Sequence, residues 1–246
     1  EAIDTGKGTL TVNANGTWNF VAANGLDQDV AQQVSFTVRV TDGDKDVASD
    51  SLTINITDGP GPKVGDPVAL TVDEEALGPN NPNASGTNPS SDAEIDNTGN
   101  TMTFTAGSDA IDSIVFGATN DITINGLEGG QTIVWTASPD GRTLTGKVGS
   151  VDAIKLELAG ATTVAATTDP LTPSTGDVTV TVTLLDNFLH EDNLNVNELE
   201  ITGIKVVGAD ADGDSASGSV SVKVIDDLPT VSTNAAVGLD DDALSG

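Results

Sequence analysis

Apolar residues recur at every second position along much of this chain. "VSFTVRV" sets Val34, Phe36, Val38 and Val40 on one side, and "SLTINIT" does the same with Leu52, Ile54 and Ile56. Further on, "DVTVTVTLL" puts Val178, Val180, Val182 and Leu184 on one face, with threonines opposite. "TLTVNANGTWNF" reads as two short strands around an Asn-Gly turn, a dipeptide suited to tight hairpins. "NDITING", "QTIVWTA", "TLTGKV" and "AIKLELA" supply more strands, broken by "SPDG" and other glycine turns. A period of two with Val and Thr enrichment predicts antiparallel sheets with one wet face. No segment of useful length has helical periodicity. The fold expected is all-β, with Ig-like or cadherin-like antiparallel β-sandwich domains in tandem.

The tandem arrangement follows from an internal repeat. Asp42, Asp44 and Asp46 align with Asp210, Asp212 and Asp214 at an offset of 168 residues. Ala48, Ser49 and Ser51 then meet Ala216, Ser217 and Ser219, and Leu52, Ile54 and Ile56 meet Val220, Val222 and Val224. Asp58 meets Asp226. One residue is then lost and the match resumes, with Pro62 over Pro229 and "VDEEAL" over "LDDDAL". Four segments result. Residues 1–58 are expected to be the C-terminal half of a sandwich unit, since about four strands fall short of the about 100 residues such a domain takes. Residues 59–67, "GPGPKVGDP", form a Pro/Gly linker stiffened by its prolines. Residues 68–228 make one complete unit, and 229–246 a second linker and the start of a third unit. "GPNNPNASGTNPSSDAE", from Gly78 to Glu94, is a loop without apolar pattern. Tandem repeats are far more often mechanical or display devices than catalysts.

Charge narrows the function further. The 246 residues carry 38 acidic against 9 basic side chains, a net charge of -29. Nucleic-acid binding needs Lys and Arg clusters that are absent, and an anionic membrane surface would repel the chain. Hydrophobic residues at 37% still supply a folded core. The apolar runs are too short for a membrane-spanning helix, and no signal peptide is expected at Glu1. Cysteine is absent, which fits a reducing compartment and an ion-braced surface protein equally. Aromatics at 3% are poor material for a stacking platform.

The aspartates have two readings. Alternate residues in a strand lie about 6.8 Å apart, so Asp-x-Asp-x-Asp converges on one ion only where the backbone bends. Gly43 and Gly213 are expected to provide that bend. Calcium, with six to eight oxygen ligands in loose geometry, is the ion such a turn would take. The plain alternative is a solvated turn, because Asp and Gly favour turns anyway. Recurrence of all three carboxylates favours the ion. The spacing is not that of an EF-hand. A second group, Asp58, Asp73, Glu74 and Glu75, with Asp226, Asp227, Asp240, Asp241 and Asp242 as counterparts, brackets the linkers. Like charges at a joint repel unless a cation neutralises them, or they are simply solvated. Asp92, Glu94 and Asp96 alternate in "SDAEID" but occur once; Asp27 and Asp29 are weaker candidates.

Catalytic candidates are thin. His190, the sole histidine, sits in "NFLHEDN" and reads as a surface loop residue. No G-x-S-x-G elbow or phosphate-binding glycine loop is present. Trp18 and Trp135 lie in alternating strands and read as core rather than as a sugar platform.

"VTVTLLDN" followed by "GADADGDSASGSVSVKVIDDLPTV" resembles the repeat (extender) domain of giant type I-secreted bacterial adhesins of the RTX class. The resemblance covers about residues 64 to 230, and the earlier piece through its matching half; its signature is the D-x-D-G-D turn, Val/Thr strand and DD-x-P ending. It implies a non-enzymatic extender at the bacterial cell surface, exported unfolded and then folded by external calcium. The implied ion ligands are Asp210, Asp212, Asp214, Asp226 and Asp227, with Asp42, Asp44, Asp46 and Asp58 in the earlier copy. Asp73 and Glu74 join them from the linker group. Thr57-Asp58-Gly59 departs from the full ending, and the G-G-x-G-x-D nonapeptide is absent. The expected partners are neighbouring repeats of the same chain, which is otherwise monomeric. A ligand-binding module, for polysaccharide or another surface, is the alternative, and a polysaccharide-cleaving enzyme a distant third.

Overall fold

The computed structural model describes residues 1–23, 26, 30–78, 86–191 and 198–227. Asp27, Asp29, Asp240, Asp241 and Asp242, and the segment 229–246, lie outside them. The first unit holds β1 (Ala2–Asp4), β2 (Gly8–Val12), β3 (Trp18–Ala22), β4 (Gln32–Thr41) and β5 (Val47–Ile56). Next come β6 (Lys63–Val64), β7 (Val68–Asp73), β8 (Glu94–Asp96), β9 (Thr101–Thr105), β10 (Ile111–Phe116) and β11 (Thr123–Asn125). Then follow β12 (Ile133–Ala137), β13 (Thr143–Val148), β14 (Val151–Gly160), β15 (Thr175–Leu184), β16 (Glu198–Asp210) and β17 (Ser215–Ile225). One 3-10 turn, Glu74–Ala76, follows β7. The architecture is all-β, as the alternation predicts.

Two facing sheets form the second unit. One runs β12-β13-β14-β15-β9-β6 with β8 also on β15; the other runs β10-β16-β17-β7 with β11 on β16. Val178, Val180, Val182 and Leu184 from the first sheet and Val220, Val222 and Val224 from the second are almost wholly buried in one core. Burial of such side chains, worth about 1.5–3 kcal/mol each, drives the sheets together. The pairing is antiparallel except that β17 and β7 run parallel, from Val220↔Val68 to Ile225↔Asp73. Strand β6, inside the stretch expected as linker, pairs with β9 through Lys63↔Thr105 and Val64↔Phe104.

The first unit contains the sheet β1-β2-β3 and the hairpin β4-β5. Its turn at Asn13–Thr17 is closed by the Asn13 N–H donating to Thr17 O (2.9 Å), with Gly16 at φ 86°. The internal repeat holds at the level of strand register. Pairs from Thr41↔Val47 to Phe36↔Leu52 recur 168 residues on, from Ala209↔Ser215 to Ile204↔Val220. A bulge between Ile201 and Ile204 then ends the correspondence. Both turns are closed alike: Asp42 N–H donates to Asp46 O at 3.1 Å, and Asp210 N–H to Asp214 O at 3.0 Å. The bend is not made by Gly43, however. The left-handed residue is Lys45 (φ 77°) in the first turn and Gly213 (φ 110°) in the second, at equivalent positions.

Candidate metal centres at the two ends of the second unit

At the upstream end of the second unit the turn after β16 faces the incoming linker. Asp58, Asp109 and Asp212 each bring a carboxylate oxygen within 4.8 Å of the others. Asp58 comes from beyond β5, Asp109 from the loop between β9 and β10, and Asp212 from the turn between β16 and β17. The linker is seated there by backbone contact. Ser108 N–H donates to Pro60 O at 2.9 Å, and a Cβ on Gly107 would lie 1.6 Å from that same oxygen. A Cβ on Gly61 would lie 2.7 Å from Asp214 Oδ2, so the third turn aspartate also lies against the linker. Asp210 Oδ1 and Asp212 Oδ1 are buried and accept no hydrogen bond among the described residues. Burial, reinforced by the facing Asp212 carboxylate, pushes Asp210 up to about 6. Carboxylates crowded this closely repel one another unless a proton or a cation offsets their charge. The donor set is all oxygen, which fits a hard cation such as calcium.

The equivalent turn in the first unit, Asp42, Asp44 and Asp46, also brings three carboxylates within 4.8 Å, but all three residues are exposed. Asp42 is held below the usual carboxylate range by sharing a hydrogen with Asp44 and by the Asp46 N–H, 2.8 Å from its Oδ1.

At the downstream end, parallel pairing of β7 and β17 brings Glu74 and Asp226 out side by side. His190 completes the group: its Nε2 lies 3.2 Å from Glu74 Oε1 and 3.9 Å from Asp226 Oδ1. The His190 side chain is 3% exposed and that of Glu74 0%, so the expectation of a surface histidine is wrong. The cause is tertiary. Leu127 bridges to His190, Glu128 N–H donates to Leu189 O (2.8 Å), and Glu191 N–H to Gly126 O (2.8 Å), folding this stretch over the strand ends. Phe188 N–H donates to Glu74 Oε1 at 2.8 Å. Burial raises Glu74 above its ordinary value despite the hydrogen bonds from His190 and Phe188. For His190, burial acts downward, but the bond to Glu74 and the charges of Glu74, Asp226 and Asp227 outweigh it and raise the imidazole.

The remaining acids have other roles. Asp73 Oδ1 accepts Glu75 N–H at 3.0 Å and caps the 3-10 turn; Asp227 is exposed. Glu94 and Asp96 are buried in β8 but satisfied by the chain. Glu94 accepts from Thr87 and from Asn88 N–H, and Asp96 accepts Thr71 N–H (2.8 Å), Thr98 N–H (2.9 Å) and Thr98 Oγ1–H (2.8 Å). They tie loops to the sheet edge. Trp18 is 46% exposed, not core, and meets Phe36 edge-on at 6.0 Å; Trp135 packs against the core.

Residues 1–61 match the family described as bacterial Ig domain. Such domains are structural or binding modules, typical of surface and extracellular proteins. Neither the curated proteins nor the solved structures gave a match. The match and the strand register together support a bacterial Ig-like repeat. No helix among the described residues is long and apolar enough to cross a membrane.

Sequence reasoning missed two members of these centres. Asp109 stands in "GSDAID", outside the stretch in which the repeat can be aligned, and comes near Asp58 where the linker is seated. His190 is followed in sequence by acidic residues, and its burial rests on the backbone contacts of its stretch to residues 126–128 and on its packing against Glu74. An isolated histidine opposite no cysteine gave no spacing to read.

Proposed function

We propose that this chain is a structural extender segment of a large RTX-class, type I-secreted adhesin of a bacterial cell surface, folded and stiffened by extracellular calcium. The observation that carries this reading is the meeting of Asp58, from the first unit, with Asp109 and Asp212 of the second. One ion there would bind both units at once. Calcium accepts the six to eight oxygens that carboxylates, backbone carbonyls and water can offer at such a joint. With the ion absent, the same carboxylates repel and loosen the linker. Because the ion binds the folded chain and not the unfolded one, its free energy adds to folding. Low calcium inside the cell would thus keep the chain open for export, and higher calcium outside would close it. The neighbouring repeats are its partners, and stiffness is its output.

Calorimetric melting in calcium and in chelator tests the ion; an unchanged midpoint refutes it. Small-angle scattering tests stiffness separately. The particle should reach its full length only in calcium, and an equal maximum dimension in chelator refutes the rigid joint.

A further inference from the structure

We infer that the buried Glu74–His190–Asp226 group at the downstream end of the second unit is a binding site for a divalent transition metal, with zinc its best-fitting ion, separate in chemistry from the calcium joint. The three ligand atoms lie within 4.8 Å of one another. Two ligands, each about 2.0–2.1 Å from a zinc ion at the tetrahedral angle, stand about 3.4 Å apart. The observed separations of 3.2 Å (Glu74 Oε1 to His190 Nε2) and 3.9 Å (His190 Nε2 to Asp226 Oδ1) bracket that value. Asp226 sits at the end of β17 and is only partly buried, so a small rotation of its carboxylate closes the longer distance.

A Glu–His hydrogen bond alone leaves one atom of the group unexplained. Glu74 Oε2 is buried and has no hydrogen-bond partner among the described residues, although the Glu74 side chain is 0% exposed. Fold elements rarely enclose orphaned groups of this kind without a ligand. A metal between the three side chains gives Glu74 the option of both oxygens and offsets the carboxylate charge that burial otherwise penalises. Imidazole nitrogen selects zinc and its neighbours over calcium, which prefers oxygen alone. The unit would then carry a hard-ion joint where the chain comes in and a borderline-ion clamp where it goes out. That clamp ties the start of the 3-10 turn, the end of β17 and the stretch before β16.

The chain has one histidine and no cysteine, so the test is clean. The full chain, stripped by chelator and returned to millimolar calcium, is titrated with zinc chloride by calorimetry. One equivalent of zinc should bind in the presence of calcium. His190→Gln should weaken it by about 100-fold or more, since loss of even an outer partner of a ligand costs about 10–100-fold. Asp152→Asn, on the surface of β14, should leave it unchanged. Because His190→Gln could disturb folding, nitrogen-15 spectra of the single imidazole in the unmutated chain give a second readout. Zinc should shift the Nε2 resonance in stoichiometric fashion. Absence of stoichiometric uptake, displacement by calcium, equal loss in Asp152→Asn, or an imidazole spectrum indifferent to zinc each overturns the site. The zinc titration repeated without calcium separates this result from that of the calcium joint.

Discussion

The hairpins β4–β5 and β16–β17 share a register, a turn hydrogen bond and three aspartates, yet they sit in opposite environments. In the second, Val220, Val222 and Val224 are 0–1% exposed beneath the facing sheet. Their counterparts Leu52, Ile54 and Ile56 are only partly buried. The aspartate turns differ in the same way. Asp42, Asp44 and Asp46 are exposed, whereas Asp212 is met by Asp58, Asp109 and the seated linker. The sequence motif therefore specifies the turn, and a docked neighbour brings further carboxylates to it.

The sharpest break of this comparison is a charge in each strand. Val222→Asp places an unpaired carboxylate in the core and should cost more than about 4 kcal/mol, enough to unfold the second unit. Ile54→Asp, at the equivalent but half-covered position, should cost no more than about 2 kcal/mol. Denaturant unfolding followed by circular dichroism measures both, and equal costs would undo the contrast.

Calcium should divide the turns next. At a concentration about 100 times its dissociation constant an ion adds about 2.7 kcal/mol, or about 5–10 °C in midpoint for a domain of this size. Asp212→Asn or Asp58→Asn should remove most of that gain, and Asp44→Asn little of it, in melting with and without calcium. A larger loss from Asp44→Asn would place the ion on the exposed turn instead.

Gly107→Ala addresses the seat itself. Its Cβ cannot coexist with Pro60 O at 1.6 Å, so the linker must lift, at a cost of about 1–3 kcal/mol. Scattering in calcium should then report a bent or shortened particle while the second unit keeps its melting transition. A particle of unchanged length would show that the seat does not set the joint.

The smallest effect is in pH. Asp210 sits at about 6 when folded, against an ordinary 3.8. The folded chain thus holds this proton more tightly, and its favourable contribution is full below 3.8 and lost as pH rises through 6. In chelator, the melting midpoint should rise between pH 7.5 and 5, and Asp210→Asn should flatten that rise. In calcium the same acidification should lower the midpoint, because protons displace the ion. Like behaviour in both media would detach Asp210 from the cation.

Strands were legible because their signal is local: a two-residue period in "DVTVTVTLL" needs no knowledge of the partner sheet. The repeat was legible from the aspartate turn through the strand after it; that β4 and β16 pair at equivalent positions emerges only from the structure, because their sequences differ. The sites were legible only in half. Asp58 and Asp212 stand out as repeated acids, but Asp109 acquires meaning only once Ser108 grips Pro60. His190 looks solvated until the parallel pairing of β7 and β17 gathers Glu74 and Asp226 beneath it. Asp92, Glu94 and Asp96 share an alternating spacing, yet Glu94 and Asp96 spend their oxygens on Thr71, Thr87, Asn88 and Thr98. Carboxylate spacing alone cannot separate an ion site from a loop anchor.

The parallel pair β7–β17 also decides how the second unit would bear a load. The linker delivers the chain to the start of β7, after the two-residue β6, and Asp226 carries it away from the end of β17. Tension applied along the chain pulls these neighbouring strands in opposite directions along their length. Their hydrogen bonds, from Val220↔Val68 to Ile225↔Asp73, are then strained in shear and must yield together rather than unzip one after another. Once the short β6 has given way, the strands that take the pull are thus the ones arranged to share it.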